Sequence, residues 1–280
     1  MSDVPSATVV ATLSNVAFGY SGAAGYLLTD ASLDLRAEEI VMLTGPNGCG
    51  KSTMLGLLTG RLAPIAGTVR VLEEDPCRCS RVPSIGLVTE PFHPDQSPLP
   101  VNLTIREVVR WLKVLDPVSP TALDALLEEL RLDSKLQGRV VRSLSKGERQ
   151  RVMLLVLLAR QPHLVLADEP LEGIDQESRQ VIGQSLRRYA TSRKATVVWV
   201  SHYVSEAAQL ADRVFEITAG KLVECTEPEY EVQLLPESST AETHRMNGLA
   251  WLPGTLREIL AGSSSVHVQV SRRDEGDSLA

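Results

Sequence analysis

One stretch of fifteen residues, EIVMLTGPNGCGKST (39–53), constrains the fold more than any other. A compact apolar run ends in a glycine-rich turn, and STMLGLLTGRL (52–62) follows with helical spacing. Strand, turn and helix in that order are the context that G-x-x-x-x-G-K-[ST] requires. In such a loop Gly45, Gly48 and Gly50 let backbone N–H groups turn inward around phosphates. The helix start adds its dipole. Pro46, Asn47 and Cys49 occupy the variable positions, and Cys49 reads as incidental. Lys51 would bring positive charge to the β- and γ-phosphates, the Ser52 hydroxyl would hold Mg2+, and Thr53 follows directly as a further binding candidate.

Along the rest of the chain short apolar runs alternate with amphipathic helical segments, which predicts an α/β fold with a mainly parallel sheet. GTVRVL, SIGLVT, HLVLADEP and ATVVWVSH read as strands. TIREVVRWLKVL and TALDALLEELRL, split by the breaker DPVSP, read as two helices. With a third helix starting near 146 they form a helical insert. DQESRQVIGQSLRRYA and SEAAQLADRV read as further helices, and VFEITAGKLVE as a hairpin turning at Ala219-Gly220. Beyond about 226 the pattern weakens. PESSTAET (236–243) reads as a linker, TLREILAG as one short helix, SVHVQV as one strand, and RRDEGDSLA as a tail.

A phosphate site needs an acid at a neighbouring strand end to hold Mg2+, and LVLADEP supplies Asp168 there. Glu169 follows at once, so its side chain points elsewhere and is available to polarise a water. RSLSKGERQR (142–151) is open to three readings: a capping box of Ser145 and Glu148, a basic patch, or a helix start that binds phosphate. The net charge of −7 argues against general affinity for nucleic acid. The longest apolar stretch, Val152 to Ala159, is far below the roughly 20 residues of a membrane span. The start of the chain has no signal-peptide pattern, so a cytosolic location is expected. Cys77-Arg78-Cys79 is too close for a zinc knuckle, so free thiols are expected.

Gly45–Thr53, then LSKGERQR, then LVLADEP, then Ser201-His202 resemble, in that order, the nucleotide-binding domain of ABC ATPases over roughly residues 10 to 225. The resemblance implies a P-loop NTPase with a RecA-like core, an antiparallel β subdomain and a helical subdomain at about 91–160. The ATPase domain would be 1–225, with 226–280 as an extension. It also implies roles. Tyr20, in VAFGY, would stack on adenine, Glu169 would be the catalytic base, and His202 would contact the γ-phosphate. Ser145, Lys146, Gly147 and Glu148 form the signature turn that meets ATP of a second subunit, and Asp175, in EGID, communicates across that dimer.

Two departures stand out. Glu90 occupies the position of the Q-loop glutamine, where its charged oxygen still suits a hard cation. The signature is LSKGE rather than LSGGQ, a form similar to ATPases of ABC-2 type and drug exporters. The chain carries one motif set and no internal repeat, so the second set must come from another chain, most simply a copy of itself. The expectation is an ATP- and Mg2+-dependent subunit, peripheral on the inner face of the membrane, that drives a separate membrane permease, with PFHPDQSPLP (91–100) as a contact. The alternative is a soluble ABC ATPase that remodels a non-transport complex. Absent coiled-coil arms and the negative charge disfavour a DNA-repair or translation role.

Overall fold

The computed structural model describes residues 8–22, 25–78, 85–88, 99–115, 118–201, 210–225, 229–236, 242–247 and 266–272. Strands β1 (Val9–Phe18), β2 (Leu28–Arg36) and β4 (Ala66–Val71) form an antiparallel sheet ordered β2-β1-β4. A second sheet holds β3 (Ile40–Thr44), β5 (Ile85–Val88), β6 (Leu164–Asp168), β7 (Thr196–Val200), β8 (Arg213–Thr218) and β9 (Lys221–Glu224). Its order is β5-β6-β7-β3-β8-β9, parallel throughout except for the β8–β9 hairpin. That hairpin turns where expected, with Ala219 at φ 50° and Gly220 at φ 78°. Two left-handed residues between paired strands are the I′ geometry that matches strand twist.

The central strands are buried on both faces, as a parallel sheet demands. Every residue of IVMLT and of TVVWV is buried. Strand alternation then divides the core in two. Val165, Ala167, Val197 and Trp199 pack with helices on one side. Leu164, Leu166, Val198 and Val200 pack with the antiparallel sheet and helix α1 (Lys51–Leu58) on the other. The helical side holds α2 (Ile105–Leu115), α3 (Pro120–Glu129), α4 (Lys146–Ala159) and α5 (Gln176–Arg193). Short 3-10 turns at Leu136–Gly138 and Val141–Ser143 lead into α4. Helices α2, α3 and α4 lie where the sequence placed three helices.

Two expectations change. Arg213 and Val214 begin β8 rather than ending a helix, because they pair with Val41 and Met42 of β3; residues 202–209 lie outside the described set. The extension beyond 226 holds more strand than expected. β10 (Glu229–Pro236), β11 (Glu242–Asn247) and β12 (Val266–Arg272) form an antiparallel sheet ordered β11-β10-β12. Pro236, Glu242 and Thr243 of the expected linker therefore belong to strands, and only β12 had been read as one. The TLREILAG segment lies outside the described residues.

One side-chain cluster ties the antiparallel sheet to the central one. Arg213 donates to Glu224 at 2.7 and 3.2 Å and to the Asp34 carbonyl at 2.9 Å, and it lies over the Phe215 ring at 4.8 Å. It also stands 3.5 Å from Glu39, whose carboxylate accepts the Arg36 N–H at 2.6 Å. Burial pushes the Glu39 carboxyl up, whereas the bond from Arg213 holds Glu224 down. The signs oppose. Glu224 contributes stability above its ordinary pKa of 4.5 and loses it as pH falls through its lowered folded value. Glu39 contributes below 4.5 and loses that contribution as pH rises through its raised folded value. Arg213→Met should therefore cost about 2 kcal/mol in urea unfolding at pH 7, because it removes the partner of Glu224 and the cation beside Glu39. The deficit should narrow at about pH 4, as Glu39 protonates and no longer strands a charge.

Candidate nucleotide site

The parallel register sets the site. Leu43 pairs with Val200, and Asp168 with the same Val200, so β3, β6 and β7 end level. Ligands of open α/β sheets bind beyond such carboxyl ends. The loop after β3 turns through Gly45 at φ 139° and Gly50 at φ 118°, conformations that L side chains rarely adopt. A Cβ at Gly45 would come within 2.8 Å of Cys49 Sγ and 2.9 Å of the Ile217 carbonyl. Cys49 is thus more than incidental: it is half-buried and packs on the core beneath the loop. Lys51 is 7% exposed and donates to the carbonyls of Gly45 at 2.8 Å and Pro46 at 3.1 Å. Its ammonium stays inside the loop that it closes.

Gly50 is the N-cap of α1 and offers no side-chain cap, and no acid stands in the first turn. The first N–H groups of α1 and the positive end of its dipole are left for an anion. Beside them Ser52 Oγ donates to Asp168 Oδ2 at 3.0 Å. A hydroxyl and a carboxylate of hard oxygen character suit Mg2+, which takes few protein ligands and completes its shell with phosphate and water. Glu169 then turns away. Its φ is 47°, left-handed and uncommon for a non-glycine residue, and its N–H is fixed to the Val200 carbonyl at 3.0 Å.

Tyr20 lies just past the end of β1 and is 52% exposed, so it is no core tyrosine. Its hydroxyl bonds Thr53 Oγ1 at 3.0 Å, and its ring meets Phe18 edge-on with centroids 5.0 Å apart. The phenol of Tyr20 is thereby tied to the first turn of α1. Glu90 and His202 lie outside the described residues.

The signature turn resolves as a complete capping box. Ser145 Oγ accepts the Glu148 N–H at 3.1 Å, and Glu148 Oε2 accepts the Ser145 N–H at 2.7 Å. The cap uses a lone pair of Ser145 and leaves its hydroxyl proton to donate, so capping and phosphate binding do not compete. Glu148 also bonds Arg139 at 3.0 and 3.1 Å, and Arg139 reaches the Ser143 carbonyl. Arg139 was not foreseen, since it lies nine residues before its partner and outside any helical spacing. Gly147 is buried against the start of α5: a Cβ there would come within 2.4 Å of Ser178 Oγ and 2.6 Å of Asp175 Oδ2. Asp175 caps α5 by accepting the Ser178 N–H at 2.8 Å, and that bond holds its carboxyl below the usual value.

The ABC transporter family matches residues 28–172, just over half of the chain. The chain belongs to this family. It is an ABC ATPase and an ATP-binding subunit of transporter type. It is 32% identical over 222 residues to Nod factor export ATP-binding protein I of Rhizobium leguminosarum bv. viciae, covering 77% of this chain and 68% of that one. It is 31% identical over 242 residues to sulfate/thiosulfate import ATP-binding protein CysA 2 of Rhizobium meliloti (strain 1021), covering 80% and 64%. Among solved structures, a dimeric ATP-binding cassette in a post-hydrolysis state, bound to ADP and Pi, superposes with a TM-score of 0.64. It is 27% identical and the match covers 77% and 98% of the two chains. The relatives thus include both an export and an import protein.

Ser145→Ala should lower stability by about 1 kcal/mol, the usual loss of a cap, read by urea unfolding. Ser145→Asp should keep stability within about 0.5 kcal/mol of the parent, because a carboxylate caps equally well. It should still lose ATP-dependent association, since the hydroxyl proton is gone and the added charge repels phosphate.

Proposed function

We propose that this chain is the ATPase subunit of an exporter, working as a head-to-tail homodimer on the cytoplasmic face of a separately encoded membrane permease. One observation carries the dimer. The chain has an uncapped, phosphate-ready helix start at α1 and, at α4, a capped start whose Ser145 hydroxyl keeps a proton to donate, yet only a single motif set. In the head-to-tail arrangement each supplies one side of a shared site. Among the described residues no helix is long and apolar enough to cross a membrane. The LSKGE signature and the Nod factor export relative support export.

In this reading Tyr20 stacks on adenine, while the Gly45–Thr53 loop and the first turn of α1 hold the phosphates. Ser52 and Asp168 stand at the γ-phosphate end, and Glu90 and His202 are assigned metal and γ-phosphate contacts there by the family resemblance alone. Bound Mg2+ would neutralise charge on the β- and γ-phosphates there. Glu169 accepts a proton from the attacking water as the new P–O bond forms and the bond to ADP breaks. The partner's signature turn closes the site with donors from Ser145 and the Gly147 backbone, and hydrolysis releases it.

Glu169→Gln should bind ATP, slow turnover by at least about 100-fold and accumulate a dimer, measured by phosphate release and size-exclusion chromatography. Turnover equal to the parent would remove Glu169 as the base. Purification of the parent from native membranes should bring down a polytopic membrane protein. Recovery with soluble partners alone would favour a remodelling ATPase instead.

A further inference from the structure

The second residue of the signature turn is a lysine, and its position is unusual on electrostatic grounds. Lys146 is the first residue of α4, where the helix dipole disfavours a cation. It takes no part in the capping box, which uses Ser145 and Glu148. Its side chain instead crosses to the turn that follows β6. The Lys146 ammonium lies 2.8 Å from the point that a Cβ on Gly173 would occupy. That turn carries Glu169, Glu172 and Asp175 within seven residues. Gly173 itself is at φ +63°, so the turn combines a conformation suited to glycine with a site where a side chain would meet the amine. One residue further on, Gly147 lies so close to Asp175 and Ser178 that a methyl group would collide with both.

The signature turn and the Glu169–Asp175 turn are therefore joined at two neighbouring points. One is the backbone packing at Gly147, and the other is the long cationic arm of Lys146. In the head-to-tail dimer these two turns serve different sites. The signature turn faces ATP held by the partner, whereas Glu169 acts on ATP held by its own chain. We infer that Lys146 is a positioning residue that couples the two sites. It holds the Glu169–Asp175 turn to the signature turn, so that engagement of the partner's ATP sets the base in its own site. The inference rests on the dimer proposed above and assigns Lys146 to its own chain's turn rather than to the partner's phosphate.

The test uses the full chain with Lys146→Ala, Lys146→Arg and the same changes in a Glu169→Gln background. Lys146→Ala should lower kcat at least about fivefold and bring the Hill coefficient for ATP toward 1, with apparent KM changed less than about twofold, because a coupling rather than a binding contact is lost. Lys146→Arg, which keeps the charge and the reach, should restore most of kcat and the Hill coefficient. A general fold defect would instead lower the unfolding midpoint in step with kcat, and Lys146→Arg would not rescue kcat without restoring that midpoint. In the Glu169→Gln background Lys146→Ala should leave the ATP concentration for half-maximal dimer within about threefold, and a shift of about tenfold or more would make Lys146 a phosphate contact and overturn the inference. Unchanged kcat and Hill coefficient in Lys146→Ala would overturn it as well. If Glu169→Gln alone forms no ATP-dependent dimer, the head-to-tail reading fails and the inference with it. A dimer that persists alongside an indifferent Lys146 sinks the inference only.

Discussion

The structure depends on three buried strands that end at one level. β3, β6 and β7 are hydrogen-bonded in parallel register, with Leu43, Asp168 and Val200 within one residue of the same edge. Apart from Thr44, Asp168 and Thr196 at their ends these strands are apolar, and a one-residue slip would exchange the side chains of the two core halves and break the packing of each. That restriction is what delivers Lys51, Ser52, Asp168 and Glu169 to one place. The charged groups do not assemble the site themselves. They are carried there by apolar burial elsewhere.

Helix starts are treated in two ways, and the difference separates their roles. α1 opens from a glycine with no cap and no acid in its first turn, so its donors remain for a ligand. α4 and α5 open from Ser145 and Asp175, each of which accepts a backbone N–H at the third position. A capped start is a firm joint between elements, and these two joints touch through Gly147. The Ser145 hydroxyl oxygen accepts within the cap and still has a proton to donate.

Much of this was legible in the sequence, for physical reasons. Lys51 and Asp168 announced themselves because the apolar runs that position them are local and short. The Ala219-Gly220 turn did so because few residue pairs allow two left-handed conformations. Other features arise from contacts between distant segments, which local pattern does not encode. Arg139 reaches Glu148 across a loop, Arg213 spans from β8 to the Asp34 carbonyl, and Gly173 matters because of Lys146. Cys49 looked dispensable because its position tolerates variation, yet burial under Gly45 gives it a packing partner. Strands β10 and β11 were missed because polar-rich runs such as ETHRMN have no clear alternation, and their pairing comes from the register with β10 at the centre.

The left-handed backbone at Glu169 has an evolutionary consequence. A side chain with a Cβ at φ 47° costs about 1 kcal/mol or more relative to glycine, with asparagine and aspartate in between. Drift toward any of the three would make the folded chain sturdier while removing or shortening the carboxylate arm. With Glu169 as the proposed base, stability selection and activity selection pull this one position in opposite directions. A descendant freed from turning over ATP, but still required to bind it, would be expected to lose its glutamate here first and to gain a tougher fold as it did so.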